Sequence, residues 1–160
     1  MLLIAFIKFK KFIFLFYIML EPFREQLDKM KIVLGSSSPR RRELLSNQFK
    51  FEVIPSNFDE STINPTMFAN PSEFVRVQAQ KKCEEIVTRV KDADLILTAD
   101  TIVFVDNQIL GKPGTHEKAY EMIKLLNNRS HVVETGVYII MPKKGKSSSF
   151  SVKTSVYFDD

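Results

Sequence analysis

The stretch Lys31-Ile32-Val33-Leu34-Gly35-Ser36-Ser37-Ser38-Pro39-Arg40-Arg41-Arg42-Glu43-Leu44-Leu45 decides the fold. An apolar run passes into small hydroxyl residues. A helix then opens with Pro39 at its first position behind Ser38, a residue type suited to an N-cap. The arginines are unexpected there. A helix N-terminus already carries partial positive charge, so cations favour the opposite end. Stacking Arg40 and Arg41 on that charge is unfavourable until an anion arrives. Backbone N–H groups, the hydroxyls of Ser36 and Ser38 and the guanidinium forks together suit a phosphate. An exposed arginine at a helix start is also common, so this stretch alone supports phosphate binding and nothing narrower.

Working outward, the strand is predicted over 31–36 and the helix from Pro39 to about Gln48. A β-prone run over 51–55 gives a second strand, and 56–69 reads as loop. Asn70-Pro71-Ser72-Glu73 resembles a capping box with proline at the first helical position. The helix it opens sets Val75, Ala79, Cys83, Ile86 and Val90 at core spacing. Residues 94–105 form a buried strand, interrupted or bent at Thr98-Ala99-Asp100-Thr101. A turn at Asp106-Asn107 leads to a short return strand over 108–110. Thr115 caps a helix to about Asn127, with Ala119, Met122, Ile123 and Leu126 inward. Strands follow over 131–141 and 151–158, separated by a solvated loop over 143–149. Strands interleaved with helices give an α/β layered domain.

A chain of 160 residues is one domain's worth, long enough for a sizeable core. With 44% apolar and 26% charged residues it has the composition of an ordinary globular protein. The net charge of +4 is unevenly placed. Of 23 basic and 19 acidic residues, three lysines and no acid fall within residues 1–20, leaving 20 and 19 in the remainder. A basic nucleic-acid surface is therefore not supported. The single Cys83 rules out an internal disulfide framework and a multi-cysteine zinc site.

Residues 1–29 form an apolar N-terminal extension set apart from a domain over 30–160. The longest uncharged run within residues 1–20, Phe12 to Leu20, falls short of the ~20 apolar residues a membrane span needs. A signal peptide, an interfacial anchor and a non-native extension from an upstream start codon all remain open for it. Apart from that segment, a cytoplasmic location is the expectation.

Asp100 stands out as a carboxylate near the end of an apolar strand. Such a group can hold Mg²⁺ beside a polyphosphate or orient a water as general base; it can also simply cap a turn. Lys112, between Gly111 and Pro113, sits on a rigid turn from which a point charge could reach a phosphate. His131 is expected to serve structural hydrogen bonding, and Cys83 to pack in the core.

Gly-Ser-x-Ser-Pro-Arg-Arg-x-Glu-Leu-Leu after the first strand, Ala99-Asp100-Thr101, Gly111-Lys112-Pro113 and Arg129-x-His131-x-Val133-x-Thr135-Gly136-Val137 stand in one order. Together with the acids Asp59-Glu60 they resemble the Maf family of nucleotide pyrophosphatases from about Lys31 to Phe158. The resemblance implies a Maf/Ham1-like (inosine triphosphatase-like) fold, a mixed twisted sheet flanked by helices. It implies hydrolysis of nucleoside triphosphates to the monophosphate and pyrophosphate, with water attacking the α-phosphorus and a divalent cation, Mg²⁺ or Mn²⁺, assisting. Asp100 would activate the water, and Glu60 and Asp100 would hold the metal. Lys81, matching the lysine of the family's long helix, and Lys112 would join them as catalytic cations; the neighbouring Lys82 leaves open which lysine points inward. Ser36, Ser38, Arg40, Arg41 and Thr101 would bind substrate.

Arg40 and Thr101 match members acting on dTTP and UTP or modified pyrimidine nucleotides, and depart from those acting on 7-methyl-GTP. The chain most resembles the Maf-like half of acetylserotonin methyltransferase-like proteins, and a homodimer is compatible with the resemblance. Family domains continue for roughly fifty residues more, in line with domain sizes of ~100–150 or above. They include an Asp-Lys-Ala-Gly-x-Tyr-Gly-Ile-Gln segment absent here. The fold is thus expected to be incomplete at its C-terminus, and the alternative function is a non-catalytic nucleotide-binding or interaction domain.

Overall fold

The computed structural model describes residues 19–106, 108–111 and 113–159. A mixed sheet forms its centre. The strands are β1 (Ile32–Gly35), β2 (Glu52–Val53), β3 (Leu95–Val105), β4 (Gln108–Leu110), β5 (Ser130–Met141) and β6 (Lys146–Tyr157). The order is β2-β1-β3-β5-β6, with β4 also on β3. β1 runs parallel to β2 and β3, while the β3–β4, β3–β5 and β5–β6 pairs are antiparallel. The helices are α1 (Arg24–Asp28), α2 (Pro39–Ser46), α3 (Pro71–Arg89) and α4 (His116–Leu126).

Successive strand side chains point to opposite faces, and here the alternation sorts the core. Val33 and Ile96 turn to α3 and pack with Cys83, Ile86 and Ala93. Ile32, Leu34, Leu95, Leu97, Ala99, Val137 and Ile139 turn to the other face, toward α2. The α3 face is tight because its strands carry small residues at the contacts. A Cβ on Gly35 would run into Ile86 Cδ1 and Thr98 Cγ2. One on Gly136 would lie 2.5 Å from the Val75 carbonyl and 2.7 Å from the Arg76 nitrogen. Asn70 caps α3 as expected, its side chain accepting from the Glu73 N–H at 2.9 Å.

The structure departs from the sequence reading at several places. β3 is not interrupted at 98–101: its register with β5 runs unbroken from Ile96 to Phe104. Polar residues are accommodated because each finds a partner; Thr98 Oγ1 donates to the Ala79 carbonyl at 2.7 Å. The loop expected over 143–149 shortens to a 3₁₀ turn, Pro142–Lys144, and Gly145 in the left-handed region (φ 60°), so β6 already begins at Lys146. Backbone pairing with β5 outweighs the polar composition of Lys146–Ser149. β2 shrinks to two residues. The segment 56–69 holds two 3₁₀ turns, Glu60–Thr62 and Pro65–Met67. On α4 only Leu126 is buried, and Ile123, expected inward, is 60% exposed. Within the segment the sequence set apart, Arg24 Nη1 donates to the Gln48 carbonyl at 2.6 Å, and Leu20 and Leu27 line the cavity under α2. Residues 1–18 lie outside the described residues.

Candidate active site

Topology opens a gap in the middle of the sheet. β1 stops pairing with β3 at Gly35↔Thr98. β4 takes up the same edge only at Val103↔Leu110, since β5 holds the opposite edge throughout. The edge of β3 over Ala99–Ile102 is thus left without a strand partner for roughly 13 Å at strand spacing. The polar residues gather around this gap.

From the α3 face comes a buried charge cluster. Asp100 points to α3 with Thr98 and Ile102, and Gly136 lies across from it on β5. Close approach at Gly136 and the Thr98–Ala79 bond fix α3 over the strand. Gln78 and Lys82, four residues apart, then share the helix stripe that faces Asp100. Lys82 Nζ lies 2.5 Å from Asp100 Oδ1 and 3.0 Å from Glu60 Oε1. The Lys82 and Asp100 side chains are 11% and 12% exposed, and Glu60 is 41% exposed. Gln78 Nε2 donates to the Glu60 carbonyl at 3.1 Å.

Glu60 is carried there by a loop with its own fastenings. Asp59 Oδ1 accepts from the Ser61 N–H at 2.9 Å and the Ser61 hydroxyl at 2.7 Å, capping the 3₁₀ turn that begins at Glu60. Those bonds hold the Asp59 carboxyl below its usual range. The two adjacent acids therefore do different jobs. Farther back, Glu85 on α3 accepts from Ser56 Oγ at 3.0 Å and the Asn57 N–H at 2.9 Å, and pairs with Arg89. The Arg89 bond, joined by those from Asn57 and Ser56, pulls the Glu85 carboxyl down to about 2.

From the other face, α2 delivers Arg41. Its Nη1 donates to the Ala99 carbonyl at 2.8 Å and to Ser36 Oγ at 3.2 Å; Nη2 donates to Thr101 Oγ1 at 2.8 Å. Thr101 and Thr135 hydroxyls lie 3.0 Å apart. Burial pushes the Arg41 guanidinium down, Asp100 and Glu60 pull it back up, and Arg40 adds to the lowering. Ser36 is buried and also accepts from the Ser38 N–H at 3.2 Å, while Ser38 holds the N-cap position without a side-chain cap bond.

The structure thus brings together Ser36, Arg41, Glu60, Asp100 and Thr101, with Ser38 one turn away. Arg40 is exposed at the start of α2. Lys112 lies outside the described residues. Lys81 is not in the cluster: it is exposed and pairs with Glu84 at 2.8 Å. Lys82 stands in its place. The signal was in the stripe, because at ~100° per residue Lys82 falls in line with Val75, Ala79, Cys83 and Ile86, and Lys81 falls well round from it. Gln78 could have been found the same way. Glu85 gave no local signal, and Thr135 stood within a matched motif but without a role of its own. His131 is buried and packs edge-on against Phe158, its Nδ1 without a hydrogen-bond partner among the described residues. Cys83 is core, its thiol pushed up to about 12 by burial.

Glu60 Oε1 and Asp100 Oδ1 converge on the point held by Lys82 Nζ. Near them the buried Gln78 Oε1 has no hydrogen-bond partner among the described residues. Two carboxylates and a spare carbonyl are an oxygen donor set that suits a hard divalent cation. Among the described residues no group of three His, Cys, Asp or Glu surrounds the point. Phosphate and water oxygens would have to complete such a shell, as is usual for Mg²⁺. Among the described residues no helix is long and apolar enough to cross a membrane.

Comparison with known proteins bears on this arrangement. The family described as Maf-like protein matches residues 31–160. A dTTP/UTP pyrophosphatase of Clostridium botulinum is 44% identical over 131 residues, 81% of this chain and 68% of that protein. One of Caldanaerobacter subterraneus subsp. tengcongensis is 40% identical over 129 residues, 80% of this chain and 60% of that protein. This chain therefore spans only 60–68% of the length of these two relatives. A solved nucleoside-triphosphatase / dITP/XTP pyrophosphatase of Mycobacterium abscessus is 14% identical with a TM-score of 0.48, covering 79% of this chain and 73% of that one. A likeness that loose bears on neither site nor substrate. The family match covers the whole sheet, both helices that frame the gap and every residue of the cluster, and the chain belongs to the Maf-like family.

Proposed function

We propose that the chain hydrolyses a pyrimidine nucleoside triphosphate, dTTP or UTP, to the monophosphate and pyrophosphate. The observation that carries this is the convergence of Asp100 and Glu60 with Lys82 and Arg41 at the gap in the β3 edge. Cations arriving from both faces of one strand suit a polyphosphate laid along that edge. The two bacterial relatives, both dTTP/UTP pyrophosphatases, support the substrate class.

In this reading Asp100 takes the proton of a water whose oxygen attacks the α-phosphorus, and the bond from that phosphorus to the pyrophosphate oxygen breaks. Lys82 and Arg41 balance the charge that moves onto the leaving pyrophosphate. Ser36 and Ser38 present a hydroxyl and an N–H at the start of α2, where Arg40 is free to meet a phosphate from solvent. Thr101 and Thr135 place hydroxyls beside Arg41 on the other face. Lys112, two residues after β4 in the chain, is proposed for the same phosphate-binding duty. A divalent cation, Mg²⁺ or Mn²⁺, would be held by Glu60 and Asp100 and would neutralise phosphate charge when bound.

Incubation of the purified chain with UTP and Mg²⁺, followed by a pyrophosphate assay, tests the proposal. Release of pyrophosphate and UMP in equal amounts is expected. No release, with thermal stability raised by UTP, would leave the non-catalytic nucleotide-binding domain in its place.

A further inference from the structure

Lys82 is a mostly buried ammonium bridging two carboxylates. Two carboxylates at short range repel, and the buried Asp100 is poorly hydrated, so the pair is costly without a cation. Lys82 removes that cost. It does so by sitting at the point where both carboxylates converge, which is the position a shared divalent cation would need. Both cannot hold the two oxygens at once. Arg41 acts on both carboxylates through space.

We propose that Lys82 is a resident cation of this site and competes directly with the divalent metal for Glu60 and Asp100. Resting on the metal-assisted reading above, this makes Lys82 a positioning residue as well as a phosphate ligand. Metal entry frees its ammonium, and the phosphates of the incoming nucleotide give it a new partner. Metal and polyphosphate therefore favour each other's binding, and the coupling is reciprocal. The bare protein resists the metal until substrate arrives.

The test is Mn²⁺ binding to the nucleotide-free protein, followed by calorimetry and by electron paramagnetic resonance of the free ion. Lys82→Met is expected to bind Mn²⁺ about tenfold or more tightly than the natural chain, because the two carboxylates lose the ammonium that bridges them. Mn²⁺ should also raise the melting temperature of this variant more than that of the natural chain. Lys82→Gln supplies a second neutral side chain should Met fold poorly, and circular dichroism checks both. Lys82→Arg keeps the charge and should bind Mn²⁺ no better than the natural chain. Lys81→Met, one residue away and paired with Glu84, should change nothing. Folded Lys82→Met or Lys82→Gln that binds Mn²⁺ no more tightly than the natural chain overturns the competition. Failure of the natural chain to release pyrophosphate from UTP is a separate result and strikes the activity instead.

Discussion

On the α3 face, Gly35, Thr98 and Gly136 let a helix of 19 residues lie directly on the strands. On the other face, α2 and residues 20–27 cover Ile32, Leu34, Leu95, Leu97, Val137 and Ile139 loosely and leave a cavity of about 430 Å³. Leu44 and Phe150 on its wall remain 42% and 46% exposed. The difference follows from what each face offers. Small residues and a threonine that bonds helix backbone allow close packing, and interiors packed that way transmit position to within fractions of an ångström. Large aliphatic side chains under a helix of only 8 residues do not. The carboxylates and Lys82 belong to the tight face, where geometry is fixed. Arg41 is the main polar link from the loose one, tied to the strand by its own bonds to Ala99 and Thr101.

The sharpest way to break the contrast is at Asp100, the tight face's proposed general base. Asp100→Asn is expected to slow pyrophosphate release by about 10²–10⁴-fold, the usual loss of a general base, while nucleotide binding measured by calorimetry survives. Retained turnover would move the base elsewhere. Packing should divide next. Ile86→Ala on the α3 face should cost about 2–5 kcal/mol in urea unfolding, and the same truncation at Leu44, half exposed over the cavity, under about 1 kcal/mol. Equal losses would mean that the two faces are equally packed.

A smaller loss is expected from Gly136→Ala. One methyl against the α3 backbone forces a shift costing about 1–3 kcal/mol, and because Asp100 lies opposite, activity should fall beyond what stability explains. The smallest effect concerns the fastening of the Glu60 loop. The Glu85 carboxyl stands at about 2 in the folded chain against an ordinary 4.5. A depressed acid adds stability that is fully present above the unfolded value and fades as pH falls toward the folded one. The stability gap between the natural chain and Glu85→Gln should therefore hold above pH 4.5 and close as pH falls toward 2. A gap constant across that window would remove Glu85 from the loop's support.

The order of elements, the caps at Asn70 and Thr115 and the core stripe of α3 were all legible, because each depends on residues close in sequence. Motif resemblance likewise singled out Arg41, Glu60 and Asp100 as candidate site residues, which the fold brings together. Lys82 was legible in principle and missed in practice: motif matching pointed to Lys81, while the 3.6-residue period puts Lys82 on the buried stripe. Continuity of β3 through Thr98–Thr101 was not legible, because its polar side chains are satisfied by α3 and α2, which no local rule reveals. Nor was the exposure of Ile123, since an apolar helix face shows what could be buried, not what covers it.

By itself, then, the sequence determined an α/β layered domain with an anion-seeking helix start and a carboxylate on a central strand, since local propensity, period and charge suffice for those. Only the tertiary structure decided which lysine meets Asp100, that Asp59 caps while Glu60 faces the site, and that an open edge lies between β1 and β4. Those depend on strand register and on the close approach at Gly136, which bring together residues far apart in the chain.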